Sequence, residues 1–178
     1  QIMDRFGRID ALFNNAGITL HKNAEDVTLE EWHRVMDVNL TSVFMMSQAV
    51  GRIMIRQKKG SIVNTSSMSG LIVNTPQNQA SYNVSKAGVI MLTRSLAVEW
   101  ARHNIRVNTI APGYMKTEMT APFFEAGGPM VEKWMGLTPM GRPGNPEELG
   151  GMAVYLASDA SSFVTGGVFV IDGGYTAL

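Results

Sequence analysis

Short apolar runs that end in turn signals alternate with long stretches of helical apolar spacing, and this alternation leaves few folds open to the chain. Ala11 to Asn15 is a brief apolar run closed by Asn-Asn-Ala-Gly, which reads as a strand and a turn. Thr28-Leu29-Glu30-Glu31 fits a capping box. Apolar residues then recur at helical spacing through Trp32, Val35, Met36, Leu40 and Phe44, until Lys58-Lys59-Gly60 supplies a stop. Ser61 to Ser67 reads as a second strand, followed by a loop with Pro76 and a helix from about Ala80 to about His103. Ile105 to Ala111 is a third strand, halted by Pro112-Gly113, and Tyr114 to Pro143 reads as irregular. Asn145-Pro146-Glu147-Glu148 opens another helix with an N-cap, a proline at N1 and acids in the first turn. Gly167 to Ile171, closed by Asp172-Gly173-Gly174, is the last strand. Strand and helix in strict alternation predict a doubly wound α/β fold with a parallel sheet.

Such a fold usually holds phosphate groups on a glycine turn after its first strand. No G-x-G-x-x-G or Walker-type motif occurs here, and the opening residues Gln1 to Gly7 read as the end of a helix. The expectation is one domain over residues 1–178 whose sequence starts partway through the fold.

Charge narrows the partners. Fifteen basic residues balance fifteen acidic ones, which argues against nucleic acid or an acidic membrane surface as a partner. Charged residues make up 17% of the chain against roughly 25% in typical soluble domains, so some surface is expected to be hidden in an oligomer. There is no cysteine, which excludes disulfides, zinc-thiolate sites and a thiol nucleophile. His21, His33 and His103 lack metal-ligand spacing, so no metal site is expected. The glycosylation-type triplets at Asn39, Asn64 and Asn83 fall inside expected helices or strands and read as chance. With no signal-peptide layout and no long apolar run, the expected location is the cytoplasm.

Tyr82 and Lys86 stand four apart on an expected helix and so share a face. An ammonium beside a phenol favours the phenolate, which would make Tyr82 an acid/base near neutral pH. The plain alternative is an exposed i,i+4 pair. Ser66, Ser67 and Ser69 end a parallel strand at the carboxyl edge, where open α/β sheets bind ligands. One of these hydroxyls could orient a substrate oxygen toward Tyr82, or all three could simply fill a turn. No G-x-S-x-G elbow surrounds them, which disfavours serine hydrolysis. Pro112-Gly113 ends the neighbouring strand on the same edge. Met115, Met119, Met130 and Met135 fall where a flexible lid is expected.

Asn14-Asn15-Ala16-Gly17, Asp37-Val38-Asn39-Leu40, Ser66-Ser67, Tyr82-Asn83-Val84-Ser85-Lys86 and Pro112-Gly113 occur in the order typical of short-chain dehydrogenases/reductases, a family that the whole chain resembles. The resemblance implies an NAD(P)-dependent enzyme that interconverts a secondary alcohol and a ketone. By that resemblance Tyr82 transfers the proton, Ser67 holds the substrate oxygen, Lys86 binds the nicotinamide ribose, and Asn39 completes a proton relay. Asn15, Gly17, Tyr82, Lys86, Pro112, Gly113, Met115 and Thr117 would contact NAD or NADP.

Usual family spacing would select Ser69, but Gly70 three residues after Ser67 favours Ser67 with a longer loop. That loop, Ser69 to Gln77, resembles the branch acting on polyols, ketoses and other small carbonyl compounds. Asn74, Gln77 and Gln79 either hydrogen-bond sugar hydroxyls or only close the loop. The main expectation is a sugar or polyol oxidoreductase. The alternatives are a reductase of 3-oxoacyl thioesters on acyl carrier protein, and a non-catalytic dinucleotide-binding scaffold. The family implies a homotetramer built through the helices Thr41–Gln57 and Ala80–His103 and the last strand. The resemblance also implies that residues 1–178 are the C-terminal portion of a dinucleotide-binding domain with N-terminal strands missing from the sequence, and that the residue separating NAD from NADP belongs to the absent part.

Overall fold

The computed structural model describes residues 1–178. After a short helix α1 (Ile2–Phe6) come strand β1 (Ala11–Asn14), helices α2 (Leu29–Met36) and α3 (Ser42–Gln57), and strand β2 (Gly60–Thr65). Helix α4 (Ala80–Trp100) leads to β3 (Ile105–Pro112). Two short helices follow, α5 (Ala121–Ala126) and α6 (Pro129–Gly136), then α7 (Gly150–Ala157) and β4 (Val168–Ile171). The four strands form one parallel sheet in the order β1-β2-β3-β4.

Alternate residues of a strand face opposite sides of a sheet, and here each side carries its own core. Ile62 of β2 and Ile105 and Val107 of β3 pack with Val50 and Met54 of α3 and with Leu96, Ala97 and Trp100 of α4. Val63 and Ile110, on the other face, pack with Leu156 of α7. β2 and β3 are buried on both faces, as the central strands of a helix-covered parallel sheet are. The sheet is a helix-covered Rossmann-like α/β sheet, as the alternation predicted.

The local signals also hold. Thr28 and Glu31 form a complete capping box at the start of α2. Asn145 and Glu148 form another, which starts a 3-10 turn at Pro146–Leu149 that runs into α7.

Three local expectations are corrected. The helix after Thr28 is not uniform, because Asp37–Thr41 forms a π-type turn between α2 and α3. It stops at Lys58, which takes the left-handed conformation (φ 57°), whereas Gly60 already belongs to β2. The segment expected to be irregular contains α5 and α6, each started by a proline in its first turn.

Candidate active site

The carboxyl ends of β1, β2 and β3 open into a cleft of ≈ 570 Å³. The loops that leave these strands form its floor: Asn15–Gly17, Ser66–Ser69 and Gly113–Met115. Helix α4 brings Tyr82 and Lys86 to the same cleft one turn apart, with Lys86 Nζ 5.6 Å from the centre of the Tyr82 ring. Lys86 is only 4% exposed, and Nζ donates to the Thr65 carbonyl at 2.9 Å. No carboxylate balances it, and burial pulls the ammonium down to about 8. Burial pushes the Tyr82 phenol up, opposed by a hydrogen bond with Ser67. The expected depression of the tyrosine by Lys86 is therefore not the leading effect, since desolvation disfavours the charged form of both groups.

The three serines differ in what their hydroxyls already do. Ser66 Oγ donates to the Ile110 carbonyl at 3.1 Å, and Ser69 Oγ donates to Asn74 Oδ1 at 2.8 Å. Ser67 caps the 3-10 turn Met68–Gly70, accepting from the Ser69 N–H at 3.1 Å. Its hydroxyl faces the Tyr82 phenol, and its side chain lines the cleft.

Asn39 is fully buried and lies behind the cleft wall. Its amide donates to the Ile18 carbonyl at 2.9 Å and to Ser85 Oγ at 3.0 Å, and it accepts from the Ile18 N–H at 2.8 Å. The π-type turn places it there, tying the loop after β1 to α4. Gly17 is where these groups converge. A Cβ on Gly17 would lie 3.3 Å from Lys86 Nζ and 3.5 Å from Asn39 Oδ1.

Asn15, Gly17, Tyr82, Lys86, Pro112, Gly113, Met115 and Thr117 all line the one cleft. Their chemistry fits a nicotinamide nucleotide. An ammonium has three donors, and Lys86 spends one on Thr65, which leaves donors for a pair of ribose hydroxyls beside the bare Cα of Gly17. Asn15 Oδ1 is held by the Thr65 hydroxyl at 3.0 Å. Met119 lines the cleft with Met115, whereas Met130 and Met135 do not.

Asn74, Gln77 and Gln79 are engaged mainly with one another and with aromatic side chains. Asn74 and Gln77 donate to the Tyr114 hydroxyl at 2.8 and 3.0 Å, and Trp134 Nε1 donates to Gln77 Oε1 at 2.9 Å. Gln79 Nε2 donates to Asn74, Asn83 and Ser69. Of the two readings left open for these amides, loop closure describes their bonds.

Sequence reasoning missed the far wall. Trp134 is buried and stacks on Tyr114 with ring centres 4.3 Å apart, and Phe123 meets Trp134 edge-on at 5.9 Å. Thr19 and His21 line the same space. The aromatic residues crowded between Tyr114 and Trp134 were the available signal, hidden because that segment lacks periodicity.

A family model described as "Enoyl-(Acyl carrier protein) reductase" matches residues 1–176. The chain is 51% identical over 166 residues to galactitol 2-dehydrogenase of Rhizobium johnstonii, covering 93% of this chain and 64% of that protein. It is 47% identical over 176 residues to the NADP-dependent mannitol dehydrogenase of Hypocrea jecorina, covering 99% and 65%. It thus spans less than two thirds of the length of these curated relatives. The solved structure of gox2181 superposes with a TM-score of 0.97 at 47% identity, covering 99% of this chain and 69% of that one.

Proposed function

Given that the chain belongs to the short-chain dehydrogenase/reductase family, we propose that it interconverts a secondary alcohol and a ketone on a sugar or polyol with NAD or NADP. The observation that carries this reading is the meeting of Ser67, Tyr82 and Lys86 in one cleft at the carboxyl edge, with the Ser67 hydroxyl beside the Tyr82 phenol. The relatives named for galactitol and mannitol support the substrate class.

When bound, the cofactor supplies or accepts the hydride at the reacting carbon. Ser67 donates a hydrogen bond to the substrate oxygen and fixes its position against Tyr82. Tyr82 gives its proton to that oxygen in reduction and takes it back in oxidation. Its raised pKa keeps the phenol protonated, the form that reduction requires. Lys86 holds the ribose hydroxyls with the donors not given to Thr65 and places its charge beside the Tyr82 ring. Asn39 holds the Ile18 loop against α4 and leaves one Oδ1 lone pair for a proton path leading away from Lys86.

The same reading makes the protein a cytoplasmic homotetramer. Supporting the assembly is an exposed apolar row on α4 (Val84, Met91 and Val98) with Phe44 and Met45 exposed on α3. No helix is long and apolar enough to cross a membrane.

The test is a rate screen of polyols and ketoses with both nicotinamides, with Tyr82→Phe as control. Turnover by the wild type that Tyr82→Phe abolishes is the expected result. A scaffold would show no difference between the two. Thioesters on acyl carrier protein, the carrier named in the matched family model's description, are the second substrate class in the screen.

A further inference from the structure

Beyond Ser67 and Tyr82 the cleft is lined by Thr19, His21, Tyr114, Phe123 and Trp134, with the His21 ring against that of Phe123 at 5.6 Å. Among the side chains around the whole cleft, Lys86 is the one lysine or arginine and Glu118 the one carboxylate. Lys86 is committed to the Thr65 carbonyl and to the Gly17 side. Burial holds His21 below the usual histidine range and so uncharged at neutral pH. The far wall therefore offers a ligand aromatic faces and neutral polar groups. Most of those polar groups are already engaged, as the Asn74–Gln77–Tyr114–Trp134 hydrogen bonds show.

Thr19 is different. Its Oγ1 is buried and has no hydrogen-bond partner, and it is the only side-chain polar atom of the protein in that condition. An unmatched buried hydroxyl is costly, and a ligand that supplies a partner recovers the loss. Thr19 itself lines the cleft, and rotation about χ1 is the movement by which its hydroxyl can find a partner there.

Resting on the reading above, we propose that the site takes an uncharged polyol or ketose chain, rejects the sugar acid of equal length, and uses Thr19 as a specificity residue for a substrate hydroxyl. A carboxylate placed beyond the reacting carbon would lose water and meet no cation, whereas a hydroxyl there gains Thr19.

The experiment compares kcat/KM of the full chain for a hexitol, the corresponding hexonate, and a secondary alcohol with no neighbouring hydroxyl. The hexonate is expected to be at least about 30-fold poorer than the hexitol, the scale of a carboxylate left unpaired. It should also be an equally poor competitive inhibitor. A smaller gap, or tight inhibition by the hexonate, overturns the charge argument. Thr19→Val keeps the shape and removes the hydroxyl. It is expected to lower kcat/KM for the hexitol about tenfold while leaving the plain alcohol unchanged, with Thr19→Ser restoring the rate. Equal losses on both substrates, or none, overturn the role of Thr19. A wild type that turns over no polyol, ketose or plain alcohol with either nicotinamide defeats the underlying reading, a result separable from every outcome above.

Discussion

Lys86 Nζ donates to the carbonyl oxygen of Thr65 at 2.9 Å, tying the second turn of α4 to the last residue of β2. This bond fixes the distance between the strand end that carries the Ser67 turn and the helix that carries Tyr82. It also leaves a buried ammonium without a counter-ion, and that has a consequence for stability.

Burial lowers Lys86 from 10.5 to about 8 in the folded protein. Between about pH 8 and 10.5 the unfolded chain binds a proton that the folded chain has released, so stability rises with pH across that window. The cost of charging Lys86 is present in full below pH 8, on the order of 3 kcal/mol for a shift of this size. Tyr82 acts oppositely. Its pKa is raised by burial, so its contribution is lost only as pH climbs above 10. Thermal melts at pH 7 and pH 9.5 should show the wild type gaining stability relative to Lys86→Met. Parallel pH profiles for the two proteins would show that Lys86 is not charged at a cost.

Ser67 and Ser69 sit two residues apart, yet their substitutions should separate cleanly. Ser67→Ala removes the hydroxyl beside Tyr82 and with it the cap of the Met68–Gly70 turn, so kcat should fall on the order of 100-fold along with about 1 kcal/mol of stability. Ser69→Ala breaks the bonds to Asn74 and Gln79, so about 1 kcal/mol of stability should be lost while kcat changes little. Steady-state kinetics with matched denaturant curves distinguish the two. The reverse pattern would assign the substrate oxygen to Ser69, as the usual family spacing suggests.

Asn39→Ala strips three partners at once: the Ile18 N–H, the Ile18 carbonyl and Ser85 Oγ. A loss of about 2–4 kcal/mol is expected, since each unmatched buried group costs about 1–3. The Ile18 amide should exchange with solvent faster in the variant than in the wild type. Unchanged exchange at Ile18 would mean that Asn39 does not hold this loop.

How much of this was legible in the sequence depends on how local each signal is. The capping box at Thr28 and the N-cap, proline and acids of Asn145–Glu148 are each written within four residues, and both mark where helical turns begin. The parallel sheet was legible because strand and helix signals alternate along the whole chain. The π-type turn at Asp37–Thr41 was hidden, because one extra residue in a helix scarcely disturbs apolar spacing. The far wall was hidden for another reason. Trp134 and Tyr114 are twenty residues apart and meet only when α6 folds back over the cleft, and Thr19 is conspicuous only for a bond it does not make.

Gly70 is the point where the serine turn touches α4, and it sets the spacing on which the proposed chemistry depends. A Cβ there would lie 2.7 Å from the carbonyl carbon of Lys86 and 2.8 Å from its oxygen. Both atoms belong to the helix backbone, so neither can move aside as a flexible side chain would. Gly70→Ala must therefore push the Met68–Gly70 turn away from α4, with an overpacking cost of about 1–3 kcal/mol. The displacement falls on Ser67, which caps that turn, while Tyr82 and Lys86 stay with the helix. Shifting the hydroxyl by even part of an ångström relative to Tyr82 spoils the alignment of the substrate oxygen, so the expected drop in kcat is on the order of 100-fold. Gly136→Ala is the matched control, because a Cβ there meets nothing within 4 Å. Kinetics and melts on both variants decide the matter: a Gly70→Ala protein that is destabilised but turns over at the wild-type rate would show that the Ser67–Tyr82 spacing does not limit the reaction.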